Sequence, residues 1–192
     1  MRVWFYVLLM PLLSGCLNLN LKQTLPRISY YDLNTQSAPS VCANPKHLAL
    51  VGVWGADLIN TKDILLKRTD GQIERSVKEK FVDLPANMLK NMLVLEGMRQ
   101  CVMVSMSSGN VRIGLKLNVL SLGLVEYKGV YYAQIILSVD TNAQSFMVFK
   151  SQEVALKVEN KELEIPVTAI RALQHVSTQA IAQVITQLKV SL

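Results

Sequence analysis

Three cysteines and two histidines are the side chains here best suited to covalent or acid–base chemistry. The first cysteine closes the run Leu13-Ser14-Gly15-Cys16. A leucine, two small residues and a cysteine make the pattern of a bacterial lipobox. Small side chains at Ser14 and Gly15 let the backbone lie in a peptidase groove, with cleavage between Gly15 and Cys16. The sulfur of Cys16 would take a diacylglycerol, and the amine freed by cleavage would then be acylated. At about 0.8 kcal/mol per buried CH₂, two or three chains anchor a protein firmly where one holds it marginally. The preceding residues agree: Arg2 supplies a positive start, and residues 3–13 are apolar apart from Pro11. At about 1.5 Å per helical residue the run is too short for a hydrocarbon layer of about 30 Å. Residues 1–15 therefore read as a cleaved signal peptide. An ordinary signal peptide or short anchor with a chance cysteine is the competing reading.

Cys42 and Cys101 are the remaining pair. In an exported chain two thiols tend to close. A bridge would tie the segment before the first core strand to the end of the first helix, contributing about 3–4 kcal/mol in the chain-entropy picture. Two separate buried thiols are the alternative. His47 falls in an expected loop and His175 on an expected helix, neither beside a recognisable motif. The sequence has no GxSxG, HExxH, Walker loop, GxGxxG or CxxC. Asp57, Asp63, Glu74 and Asp83 are spread among expected loops, and nothing points to a catalytic pair of them. The expectation is a protein that is not an enzyme, with no metal and no cofactor beyond a covalent lipid on Cys16.

The formal net charge is +6, without a run of lysine and arginine. Scattered charge of this size suits a solvated surface near anionic head groups better than nucleic-acid binding. No stretch after Cys16 has eighteen consecutive apolar residues, so no second membrane span is expected.

The elements that must position these residues follow from periodicity. Residues 16–45 carry Pro26, Pro39 and Pro45 with polar residues and read as a lipidated tether, although 28–33 is aromatic and strand-like. Residues 46–192 read as one domain. Short apolar runs at 48–53 and 64–67 predict strands, Asp70-Gly71 a turn, and 72–76 a returning strand. Asp83 and Pro85 open a helix over 84–98 whose stripe is Met88, Leu89, Met92 and Leu93. A short strand at 102–105 and a turn at 107–110 follow. Three long strands, 111–126, 130–140 and 146–158, predict an antiparallel meander with a hairpin at 127–129. Ile170, Leu173, Val176, Ala180, Ile181, Val184 and Leu188 mark a long final helix. The expected fold is α+β: a mainly antiparallel sheet of about six to seven strands, with two helices on one face.

One irregularity stands out in the first long strand. Val111, Ile113, Leu115, Leu117 and Val119 alternate on one face, then Leu120, Leu122 and Leu124 shift to the other. A bulge near Ser121 or Gly123, burial of both faces, or an apolar face for a partner would each explain this. Leu120, Leu122 and Leu124 are the candidate partner interface.

Several segments together resemble the ABC-type transport auxiliary lipoproteins, which accompany MCE-domain lipid transporters. They are Tyr30-Tyr31-Asp32-Leu33, the strand 48–53, Ile64-Leu65-Leu66-Lys67-Arg68-Thr69, the stretch from Lys80 through Pro85 to Leu89, and the final helix rich in Ala, Gln and Leu. Phe81 stands where that family commonly has tryptophan. The resemblance implies a non-catalytic, periplasm-facing lipoprotein whose partners are an MCE-domain protein, ABC transporter subunits and membrane lipid. It also allows a homo-oligomer and implies no nucleic acid. Leu17, rather than aspartate, follows Cys16, which by the enteric sorting rule favours the outer over the inner membrane. Two other classes remain open: an outer-membrane assembly lipoprotein partnering a lipopolysaccharide-export β-barrel, and a carrier holding an acyl chain between sheet and helices.

Overall fold

The computed structural model describes residues 27–35, 42–106, 113–156, 158–159 and 162–191. The expected signal peptide 1–15, the expected lipidation site Cys16, the turn expected at 107–110 and Val111 lie outside these residues. The elements are β1 (Ser29–Tyr31), β2 (Lys46–Gly55), β3 (Asp63–Lys67), β4 (Ile73–Phe81), α1 (Pro85–Arg99), β5 (Val102–Ser105), β6 (Gly114–Tyr127), β7 (Val130–Thr141), β8 (Ser145–Val154), β9 (Val158–Glu159), β10 (Glu162–Leu163) and α2 (Val167–Ser191). Strands β1 to β8 form one sheet, and β9 with β10 a separate two-stranded ladder.

The sheet is mixed, which corrects the expectation of a mainly antiparallel one. β1–β4, β2–β5, β2–β6 and β3–β6 are parallel, while β3–β4, β6–β7 and β7–β8 are antiparallel. For β5 the reason is α1, which carries the chain back along the sheet so that Val102 lies opposite Lys46 and β5 runs beside β2 in the same direction; β6 joins the other side of β2 from Ala49 onward, also in parallel. Alternation along a strand shows which residues face the core, but says nothing about the direction of its neighbour. The meander β6–β7–β8 is present, and its third strand stops at Val154 rather than residue 158.

Both helices share a core with the sheet. α1 lies against β2 and β5, α2 against β7 and β8, and the helices touch one another. Met88, Leu89, Met92 and Leu93 are all buried, so the methionine-rich stripe is packing. Every residue of the expected α2 stripe is buried too. Facing them are Leu48 and Leu50 of β2, Leu115 and Leu117 of β6, and Ala133, Ile135, Leu137 and Val139 of β7. Pro85 opens α1 with the orphan amides of the first turn left to other partners. Asp83 Oδ1 accepts the Leu84 N–H at 2.7 Å, and Asn60 Oδ1 accepts that of Ala86 at 3.1 Å.

Residues 29–33 of the N-terminal arm are part of the fold. β1 adds to the edge of β4 in parallel, Leu33 is buried in the core, and Gln174 Nε2 donates to the Asp32 carbonyl at 2.7 Å. Cys42 and Cys101 form a disulfide with Cα atoms 5.5 Å apart. Cys101 sits just past α1 in the left-handed region, at φ 60°.

β6 is the spine of the sheet. β2 and β3 lie end to end along one of its sides, β2 opposite residues 114–119 and β3 opposite Leu124 and Val125. At Gly123, φ is 149° and a Cβ would come within 2.7 Å of the Leu65 carbonyl oxygen. Only glycine lets β3 approach this closely. Gly123→Ala is expected to cost about 1–3 kcal/mol, read as a lower urea midpoint with an unchanged m-value.

Candidate functional site

The irregularity in β6 is a β-bulge at Leu120. Val119 pairs with Leu137, Ser121 pairs with Ile136, and Leu120 is the extra residue between them. The bulge resets the alternation, so Leu122 and Leu124 return to the core face opposite Ile135 and Ala133. Leu122 is 5% exposed and Leu124 1%, whereas Leu120 is 48% exposed. This corrects the candidate interface. Of the three leucines only Leu120 presents itself to solvent; the other two are packing.

The bulge lies where β2 and β3 break away from β6, and neither ladder extends over residues 120–123. The loop 56–62 crosses opposite this gap, turned by Ile59 and Asn60 N–H groups that both donate to the Ala56 carbonyl at 2.8 Å. The result is a cavity of about 590 Å³. Leu58 and Ile59 of the loop, Leu65 of β3, Leu120 of the bulge and Ile136 of β7 form its apolar walls. Ser121 and Gln134 supply polar atoms inside it and are hydrogen-bonded at 3.3 Å. Leu65 is buried but stands apart from the core cluster, because its side chain points away from the helices.

A charged network closes one end. Arg68 Nε and Nη2 donate to the two carboxylate oxygens of Glu74 at 2.7 and 3.1 Å. Its Nη1 donates to Glu126 Oε2 at 3.3 Å and to the Tyr131 hydroxyl at 2.9 Å. This pins the β3–β4 turn to the end of the β6–β7 hairpin. Hydrogen bonding to Glu74, helped by Glu126 and Tyr131 and opposed by partial burial, raises the Arg68 pKa above its ordinary value. A raised folded-state value means the contribution is complete below the unfolded pKa of arginine and is lost only as pH rises beyond it. Arg68 therefore keeps its charge across the neutral and mildly alkaline range. Arg68→Met would leave two half-buried carboxylates facing each other. It is expected to cost about 1–3 kcal/mol, seen as a lower urea midpoint at pH 7.

The helix-free face of the sheet continues past the cavity. Phe149 stands beside Ile136, and Met147 beside Ser138. They are 56% and 63% exposed. Trp54 lies over Gly52 on the same face. β8 pairs only with β7, so its outer edge has no strand neighbour among the described residues.

The other sequence candidates are dispersed. His47 lies on β2, not in a loop, and is exposed. His175 Nδ1 is 2.9 Å from Gln152 Oε1, and its Nε2 is 3.1 Å from Gln179 Nε2. Asp63 pairs with Lys80 and Arg75, Glu74 with Arg68, and Asp83 with the start of α1. Among the described residues no group of three or more His, Cys, Asp or Glu is placed to hold a metal ion. The cavity was missed in the sequence because its walls come from four separate elements. The only local signal was the break in alternation at Leu120.

Comparison with known proteins gives the architecture a counterpart. Protein XCC0632 from Xanthomonas campestris, of the DUF330 family, superposes with a TM-score of 0.66 at 12% identity, over 83% of this chain and 94% of that one. An uncharacterised protein superposes at 0.59 with 14% identity, over 84% and 99%. This chain shares their fold. No family model and no curated protein matches the sequence.

Proposed function

We propose that this chain is a non-catalytic, lipid-anchored envelope protein that serves as an accessory of an MCE-type ABC lipid transporter, docking through the helix-free face of its sheet. The observation that carries this reading is that face: Phe149 and Met147 stand exposed on β8, an edge strand with no strand neighbour beyond β7 among the described residues, and Leu120 stands exposed on β6 of the same face, while the opposite face is covered by both helices. Apolar side chains clustered beside an unpaired edge are the physical mark of a surface made to be covered. The residues that carry the family resemblance support it as well. Tyr31 and Leu33 seat the N-terminal arm, Phe81 ends β4 in the core, and Pro85 opens α1. Among the described residues no helix is long and apolar enough to cross a membrane. Attachment in this reading falls to the acylated Cys16.

The test is purification of the full-length protein from its own cells in mild detergent, with mass spectrometry of what accompanies it. MCE-domain and ABC subunits in near-stoichiometric amounts support the reading. A β-barrel without any MCE protein overturns it and favours an outer-membrane assembly role. Met147→Lys with Phe149→Asp is expected to lower partner recovery about ten-fold or more while leaving thermal unfolding unchanged.

A further inference from the structure

We infer that the cavity between the loop 56–62 and β6 is a binding site for one acyl chain carrying a single anionic head group. A volume of about 590 Å³ lies within the range of real ligand sites, about 300–1,000 Å³. The walls are aliphatic, and the fold makes the space on purpose-built irregularities. The bulge at Leu120 turns that side chain to the surface, Gly123 brings β3 against β6, and the loop holds Leu58 and Ile59 across the opening. Leu58 and Leu120 remain large and exposed at its edge, apolar area that an acyl chain would cover.

The rim specifies the head group. Lys67, Arg68 and Glu126 are the charged side chains lining the cavity. Arg68 and Glu126 bond one another, and Glu74 completes that network. Arg68 is shared between two carboxylates, so that network carries a net single negative charge; Lys67, with no carboxylate partner among the described residues, balances it and is the rim cation free to meet an anion. A carboxylate or a phosphodiester on the end of an acyl chain has the matching chemistry. A free fatty acid and a membrane phospholipid both supply it. The site differs from a chain held between sheet and helices, because that space is filled by the core.

The experiment uses the full-length lipoprotein reconstituted in phosphatidylethanolamine–phosphatidylglycerol vesicles, with no transporter present. Its outcome is therefore separate from that of the docking reading. One arm carries a diazirine-labelled palmitate, the other a phosphatidylglycerol with a diazirine in its acyl chain, and cross-links are mapped by mass spectrometry. Label concentrated on residues 58–59, 120–125 and 136 is expected. Labelling by palmitate alone identifies the free acid, and labelling by phosphatidylglycerol alone identifies the membrane lipid. Ser121→Phe, which puts a ring into the cavity, should reduce the label about ten-fold at an unchanged melting temperature, and Lys67→Glu several-fold. Label spread evenly over Met147, Phe149 and other exposed apolar residues overturns the inference, as does undiminished label in folded Ser121→Phe. If that variant does not fold, excess unlabelled acyl ligand decides on the unaltered protein. Displacement supports the site, and undiminished label overturns it.

Discussion

Replacing Leu122 and Leu124 together with serine is expected to unfold the domain, while Leu120→Ser leaves it folded with stability changed by no more than about 0.5 kcal/mol. The three leucines share a chemistry and alternate in sequence, yet the bulge divides them. Leu122 and Leu124 pack opposite Ile135 and Ala133 in the core, and Leu120 faces solvent. Truncating one buried leucine costs about 2–5 kcal/mol, and each serine adds a hydroxyl without a partner. The two sites are neighbours on one strand face, so their costs need not add, but together they approach the whole stability of a domain, about 5–15 kcal/mol. Far-UV circular dichroism and urea titration of the three variants check this. A folded double variant would mean that the register of β6 on β7 is shifted by one residue after Val119. It would also restore the leucines as a surface.

Loss of the disulfide is the second large effect. Cys42 and Cys101 are 59 residues apart in sequence. Closing a loop of that length removes chain entropy from the unfolded state worth about 4 kcal/mol. For a domain of this size that corresponds to a fall in melting temperature of roughly 8–16 °C. Cys42→Ser with Cys101→Ser should show it under oxidising conditions. In excess reductant the variant and the parent should converge. A parent insensitive to reductant, with a matching melting temperature in the double variant, would show that the bond adds nothing to the fold.

Much of the core could be read from the chain. Period-two alternation in β7 and the 3–4 spacing of Leu173, Val176, Ala180 and Val184 in α2 both correspond to buried faces. These signals are local, because burial repeats with the geometry of one element. Strand direction was not legible, since it depends on where each connection returns the chain, as α1 does for β5. Nor was the length of β4, where Val77, Lys78 and Glu79 show no alternation because one face and part of the edge are open. The disulfide was legible as a candidate from cysteine number, and its geometry only from the fold. The cavity was illegible because Leu58, Leu65, Leu120 and Ile136 meet only once β2 and β3 separate along β6. The break at Leu120 marked the place without saying what it made.

The way the N-terminal arm is seated also determines how the domain bears load. Tension arriving along the chain from its N-terminal side first meets β1, whose parallel pairing with β4 spans three residues. Stripping it also breaks the Gln174 bond to Asp32 and draws Leu33 out of the core. The unravelling then reaches Cys42 and stops, because the bridge hands the force to Cys101, between α1 and β5. The arm thus behaves as a sacrificial link backed by a covalent stop. A pull from that side can peel β1 from β4 while leaving the pairing of β2 to β8 in place.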